Sequence, residues 1–581
     1  MKKYWKYIKP YLSAFIIGPL LMIVEVIGEV LMPKIMANII NNGVPNGDYG
    51  YIAGNGALMI GVAVCMLIGG VGGAYFAAKA SVSFSSDMRR DLFHKIQEMS
   101  FANLDKFSTG SLVTRLTNDI TQVQNLINMI LRMMLRAPGM LIGGIIMAVI
   151  INPKLALILV VVMPILILIM ALVIKNTFPK FKGMQSKLDS LNNNISEVLT
   201  SIRVIKSFVR EDFEMKKFEE SNQNLKDAAI KALKVIIVLL PVVSILMNGT
   251  TLAVVWFGGN MVINPEIGMP IGDLTAFITY ITQILSSLMM VAFIFLQCTR
   301  AFASLGRINE VLNDKIDITD DGVAFPEKQV MSGEVEFHNV SFRYYARSEE
   351  KVLNNISLKI ESGLTLGIIG STGSGKTTLV SLIPRLYDTD EGEVLVDGVN
   401  VRDYSLKNLR EGVGMVLQKN VLFSGSVKEN LRWGKEDASE EELEEVSRDA
   451  YAYSFINDME SGFDSELEQG GVNLSGGQKQ RMCIARALLK KPKILILDDS
   501  TSAVDTATEA GIRECFKNSL KDTTKIIIAQ RISSVIEADR IAVLDDGEIV
   551  GVGTHSELMK SCEAYREIYF SQKDKEEEVN A

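Results

Sequence analysis

Thr365-Leu-Gly-Ile-Ile-Gly370 runs into Ser371-Thr-Gly-Ser-Gly-Lys376-Thr377 and then into Thr378-Leu-Val-Ser-Leu-Ile-Pro-Arg-Leu386. An apolar run, a glycine-rich loop and a helical run follow one another, so G-x-x-x-x-G-K-[ST] stands in the strand–loop–helix setting it requires. Gly370, Ser371, Thr372, Gly373, Ser374 and Gly375 form a loop whose backbone N–H groups can turn inward on phosphate oxygens. Lys376 adds a point charge at the terminal phosphates, and Thr377 offers a hydroxyl to Mg²⁺. Thr378 continues the first turn of a helix whose positive dipole end points at the same place.

About 120 residues downstream by position, Ile494-Leu-Ile-Leu497 ends in Asp498. Four apolar residues in a row suit a strand buried on both faces. An acid at the C-terminal end of such a strand sits where open α/β sheets bind ligands, so Asp498 is expected to hold Mg²⁺ with Thr377. From Val335 onward short β-like runs alternate with helical ones, the α/β pattern.

Upstream the chain changes character. Six stretches are apolar enough to cross a bilayer core of roughly 20 helical residues: 11–36, 54–78, 127–151, 155–174, 235–257 and 274–296. Lys and Arg fill the N-terminal tail (Lys2, Lys3, Lys6, Lys9) and the long connections after the second and fourth stretches. The short 41–54 and 258–272 segments have none. That bias predicts that both termini and the long connections face the cytosol. The first stretch is too long for a signal peptide and lacks a small-residue cleavage site, so a retained spanning helix is expected. The long connections keep helical periodicity, which predicts helices continuing into cytosolic hairpins with tips near 103–110 and 203–212.

Ionisable residues inside spans need a reason. Glu25 and Glu29 lie four apart on one helix face, as do Arg132 and Arg136. The carboxylates suit a cationic substrate or a helix–helix polar contact, and the arginines suit snorkelling or pairing near one membrane face.

The bulk numbers fit this division. In 581 residues, 48% are hydrophobic and 22% charged, so the apolar residues are segregated along the chain. A net charge of −8 without a basic stretch argues against nucleic-acid binding. Cys65, Cys298, Cys483, Cys515 and Cys562 are odd in number and in no metal spacing, which reads as reduced thiols. The domain plan is 1–316 spanning, 317–333 linker, 334–575 nucleotide-binding and 576–581 charged tail.

Leu474-Ser475-Gly476-Gly477-Gln478 resembles the ABC signature, which is far more specific than a P-loop alone. Tyr344 resembles the aromatic that stacks on adenine, Gln418 the Q-loop glutamine, and Ser502-Ala-Val-Asp505 the D-loop. Phe107-Ser-Thr-Gly110 with Arg115-Leu-Thr-Asn-Asp119, and 203–211, resemble the two coupling-helix regions of ABC exporters. The resemblance covers essentially the whole chain and implies an ABC exporter half-transporter: an all-α polytopic membrane domain of six helices followed by an α/β P-loop NTPase domain.

The resemblance also implies ATP with Mg²⁺ at Thr377, Gln418 and Asp498. It implies two halves pairing head to tail, each signature reaching the other half's ATP, and alternating access across the cytoplasmic membrane. Two positions depart from the family pattern. Asp499 stands where the family has the glutamate that aligns the attacking water, and Gln530 stands where it has the switch histidine. A carboxylate one methylene short is misplaced by about 1 Å or more, which can cost ~100-fold. An amide cannot become cationic. Gln469 is a third departure, where exporters often carry a glutamate before the signature. With the signature unblemished, the pattern resembles the degenerate-site subunit of a heterodimeric bacterial exporter of multidrug or lipid-like amphiphiles. A homodimer with two slow sites, a lipid flippase and a non-transporting regulatory protein are the alternatives.

Overall fold

The computed structural model describes residues 4–263, 268–344, 350–500 and 504–580. The chain divides into two units, Met1–Ile96 with Thr109–Asn313, and Gln97–Ser108 with Asp314–Ala581.

The first unit is helical. Its elements include α1 (Leu12–Asn38), α2 (Tyr49–Glu98), α4 (Ile120–Met133), α5 (Arg136–Ile151), α6 (Pro153–Thr200), α7 (Ile202–Ser207), α8 (Glu211–Ile263) and α9 (Ile271–Asn313). A short α3 (Phe101–Asp105) lies between α2 and α4 and groups with the second unit. Among the described residues, six helical segments are long and apolar enough to cross a membrane. α2, α6 and α8 run for 50, 48 and 53 residues. At 1.5 Å per residue each is about 70–80 Å long, well beyond a hydrocarbon core of about 30 Å. The helices therefore extend past the bilayer as the periodicity of the connections predicts, and α3 and α7 are the short turns at two of the far ends.

The prolines locate the irregularities. Asn152 caps α6, its Oδ1 accepting from the N–H groups of Lys154 and Leu155 at 3.0 and 3.1 Å, with Pro153 in the first helical position. The third apolar stretch, read as one span over 127–151, is broken by a turn at 134–135. Pro138 has no N–H for the carbonyl of Met134, so the helix restarts at Arg136. Within α1, Pro33 deprives the Glu29 carbonyl of its intrahelical donor. Gln283 of α9 supplies one (Nε2 to O, 3.2 Å), and Tyr280 Oη donates to the adjacent Val30 carbonyl at 2.6 Å. In an apolar medium a freed carbonyl must be satisfied by a neighbouring helix, and the Gln283 bond does this while tying α1 to α9.

Among its described residues the second unit holds two larger sheets and a two-stranded antiparallel ribbon of Gly425–Ser426 with Glu466–Leu467. An antiparallel sheet of order β2-β1-β4-β5 comprises β1 (Val335–Phe342), β2 (Leu353–Ile360), β4 (Glu391–Val396) and β5 (Val399–Asn400). The larger sheet has six strands. They are β3 (Thr365–Gly370), β6 (Val413–Val416), β7 (Ile494–Asp498), β8 (Thr524–Ile528), β9 (Arg540–Asp545) and β10 (Glu548–Gly553). Its order is β10-β9-β3-β8-β7-β6, parallel throughout except for the β10 edge. Ile494 to Asp498 are all buried, as the unbroken apolar run requires. Each central parallel strand ends at the same edge of the sheet, and there β3 gives way to the glycine-rich loop and to α10 (Lys376–Ser381).

Candidate functional site

A cavity of about 330 Å³ opens at that edge, bounded by the glycine-rich loop, β7 and the segment after β8. The loop demands glycine. A Cβ on Gly370 would lie 1.9 Å from the Leu544 carbonyl oxygen, and Gly375 has φ +94° with Val352 O at 2.8 Å from any added Cβ. The chain can thus bring its backbone against β9 and swing into α10 at the cavity's edge.

Lys376, Thr377, Thr378, Gln418, Asp498, Asp499, Gln530 and Tyr344 all line this one cavity, with Thr372, Gly373 and Gly375. Lys376 Nζ donates to the carbonyls of Gly370 and Ser371 at 2.9 and 2.7 Å. Burial pushes its ammonium down from the ordinary lysine value, opposed by the charges of Asp498 and Asp499. Thr377 Oγ1 donates to both Asp498 carboxylate oxygens at 3.0 and 2.9 Å. Burial pushes the Asp498 carboxyl up, against the Thr377 hydrogen bond; Asp499 adds to the push and Lys376 opposes it. A desolvated cation beside two desolvated carboxyls is an arrangement that a polyphosphate with a divalent cation would relieve. The donor set fits such a ligand: loop N–H groups and Lys376 for phosphate, Thr377 and Asp498 for a hard oxygen-seeking metal.

Asp499 is held from several sides. Its backbone has φ +48°, a left-handed conformation unusual for a residue with a side chain. Its N–H donates to Ile528 O at 3.0 Å, and its own carbonyl accepts from Gln480 Nε2 at 3.1 Å. Gln530 Nε2 donates to its Oδ2 at 2.8 Å. Burial pushes the Asp499 carboxyl up, while hydrogen bonds from Gln418 and then Gln530 pull it down.

Gln530 is anchored by a residue that sequence reading missed. Gln572, on α13 (Glu563–Asn580), donates from Nε2 to the Gln530 carbonyl at 2.8 Å and accepts from the Ile532 N–H at 2.8 Å. Local pattern carries no signal for a contact spanning some forty residues. Gln572→Ala should speed amide exchange at Ile532 about tenfold, the worth of one hydrogen bond of about 1–1.5 kcal/mol. Hydrogen-exchange mass spectrometry reads this directly.

The signature residues stand apart from the cavity. Ser475 caps α11 (Gly476–Leu489): its Oγ accepts from Gln478 N at 3.3 Å, while Gln478 Oε1 accepts from Ser475 N at 2.9 Å. None of Leu474, Ser475, Gly476, Gly477 or Gln478 lines the cavity. Asp505 caps α12 (Thr506–Ser519), accepting from Thr508 N at 2.9 Å. Ser502 and Ala503 of that motif lie outside the described residues.

Tyr344 Oη and Thr378 Oγ1 share a hydrogen bond of 2.8 Å. The Tyr344 ring meets Tyr387 edge-on at 5.2 Å, Tyr387 meets Phe101 at 6.0 Å, and Tyr387 Oη donates to Asp105 at 2.8 Å. Two ring contacts therefore join the cavity to α3. Asn103 of α3 also donates to Asp314 and to the Lys315 carbonyl, both at 2.8 Å.

Comparison with known proteins decides the family. Residues 15–288 match the ABC transporter transmembrane region, and residues 353–502 match the ABC transporter family. The uncharacterized ABC transporter ATP-binding protein YfiB of Bacillus subtilis is 41% identical over 98% of both chains. The chain belongs to the ABC transporter family. This half-transporter is also 37% identical to Rv1273c of Mycobacterium tuberculosis, another uncharacterized ABC transporter ATP-binding protein, over 98% of this chain and 97% of that one. Its fold matches that of a bacterial Atm1-family ABC exporter with ATP bound, with a TM-score of 0.77 at 24% identity over 97% and 98% of the two chains. The half-transporter is thus a membrane protein whose ATP-binding domain couples ATP hydrolysis to transport.

Proposed function

We propose that this half-transporter is the degenerate-site subunit of a heterodimeric exporter that moves amphiphilic small molecules across the cytoplasmic membrane. The observation that carries the reading is the Asp499–Gln530 hydrogen bond of 2.8 Å. A family glutamate would reach for the attacking water. Here a shorter carboxylate is occupied by two amides, neither of which can become cationic.

In this reading the glycine-rich loop, Lys376 and Thr378 hold the ATP phosphates and Tyr344 stacks on the base. When bound, Mg²⁺ would be held by Thr377, Asp498 and Gln418 and would neutralise phosphate charge. The signature, Leu474 to Gln478, completes the partner's competent site, because it has no phosphate to meet in its own cavity. Closure of the two ATP-binding domains passes to the spanning helices through the hairpin tips, α3 among them, and the cavity turns outward. Hydrolysis, chiefly at the partner's site, resets the pair. Both termini lie in the cytosol, and the domains run as 1–316, 317–333, 334–575 and the tail 576–581.

A second subunit also has surface to meet: at the far end of α7, Phe208 and Val209 are 72% and 80% exposed. Support for the substrate class comes from YgaD of Bacillus subtilis, provisionally named a multidrug export ATP-binding/permease protein and 32% identical over 98% of both chains. The test is to express this chain alone and with the half-transporter encoded beside it. ATP turnover should be at least about tenfold higher for the pair. Equally strong turnover by this chain alone would rule out the heterodimer and leave a homodimer.

A further inference from the structure

We propose that α1, α2 and α9 form a binding site for hydrophobic organic cations, with Glu29 as its charged end. The assignment rests on the export reading and names its substrate class.

The site is a cavity of about 370 Å³, within the roughly 300–1,000 Å³ usual for small-ligand sites. Met32 and Met36 of α1 face it together with Met59 and Met66 of α2. Four thioethers make a soft wall that reshapes around differing apolar bodies. Glu29 is the one ionisable group among the described lining residues, and Gln283 and Thr279 of α9 supply the remaining polarity with Thr275.

Charge counting sets the sign of the ligand. Arg136 pairs with both Glu25, at 3.1 Å, and Glu29. Two carboxylates against one guanidinium leave one formal negative charge in an apolar surrounding. The next cation along α1, Lys34, pairs with Asp273 at 3.2 Å and so does not offset it. Hydrogen bonding points the same way. Glu25 Oε2, Glu29 Oε2 and Gln283 Oε1 are buried acceptors with no partner. An uncompensated carboxylate at such a place is costly. A cation carrying its own apolar groups supplies the missing charge without exposing the methionine wall. An anion would meet Glu29 and would be repelled.

The experiment compares tetraphenylphosphonium with tetraphenylborate, ions of nearly the same shape and opposite charge. The full-length pair is placed in phosphatidylcholine nanodiscs and each ion is followed by equilibrium dialysis, with empty discs subtracted. Tetraphenylphosphonium should bind saturably and tetraphenylborate should not. Glu29→Gln should weaken the cation at least about tenfold, the loss of one close charge pair. Because Glu29→Gln also disturbs the Arg136 pairing, Thr279→Asp serves as a second variant. It adds a carboxylate to the same wall and should tighten the cation several-fold.

Equal saturable binding of both ions, or unchanged cation affinity in both variants, would overturn the assignment. Stimulation of ATP hydrolysis by neutral amphiphiles with no cation binding would also overturn it, while leaving the export reading intact. Saturable, Glu29-dependent cation binding with no stimulation by any amphiphile would support the site and sink the export reading.

Discussion

Gly477→Asp in this chain is expected to lower ATP turnover of the assembled pair on the order of 100-fold, whereas Asp499→Asn should leave at least about half of it. The first effect follows from where the signature helix points. Ser475 and Gln478 exchange hydrogen bonds at the start of α11, which leaves the N–H groups of Gly476 and Gly477 as the unused donors of the first turn. Removing or blocking one such donor at a reacting oxyanion typically costs 10²–10³. An aspartate in the first turn is favourable for the helix itself, because it meets the positive dipole end. The variant should therefore fold while repelling the phosphate that the proposed pairing brings to this turn. The second effect is what the proposed degenerate site requires: the Asp499 carboxylate is already tied to Gln530 at 2.8 Å, so losing its charge should change turnover little. Steady-state phosphate release by the two variants and the parent pair checks both halves. The reverse pattern, with turnover surviving Gly477→Asp and collapsing with Asp499→Asn, would mean that hydrolysis runs at this chain's own cavity.

Parts of this picture were legible in the sequence because their physics is local. The P-loop is one uninterrupted run in which each glycine answers a backbone demand, and Lys376 and Thr377 follow in fixed order. Asp498 was legible because a strand buried on both faces must be apolar until it ends. The long helices were legible because their periodicity persists beyond a membrane's thickness. What escaped was long-range. Glu25 with Glu29, and Arg132 with Arg136, were each visible as an i, i+4 pair. That Arg136 joins the two glutamates depends on a turn at 134–135 and on the packing of α1, more than a hundred residues away. Pro33 was visible, but not that Gln283 fills the hydrogen bond it removes. Grouping α3 with the ATP-binding unit depends on Tyr387, Asp314 and Lys315, none of which carries a pattern pointing to 101–105.

Asp499→Glu combined with Gln530→His should raise hydrolysis at this chain's own cavity about 100-fold, the scale of a 1 Å misplacement of a catalytic group. Either change alone should give much less. Asp499→Glu adds a methylene, but its carboxylate would still have Gln530 Nε2 within reach as a donor, as Asp499 does at 2.8 Å. Gln530→His removes one of the two amides tied to the carboxylate and offers a group that can carry positive charge toward a phosphate, but leaves the acid one methylene short. The two positions touch, so their effects must couple rather than add. The backbone is prepared for the repair: Asp499 is fixed by Ile528 O and Gln480, and Gln530 by Gln572, so neither substitution has to order a loose loop. The measurement is single-turnover hydrolysis of labelled ATP with the partner's P-loop disabled, comparing the parent, both single variants and the double variant. If the double variant hydrolyses no faster than the parent, the slow step does not lie at Asp499 and Gln530, and the claim that this half is a degenerate site fails with it.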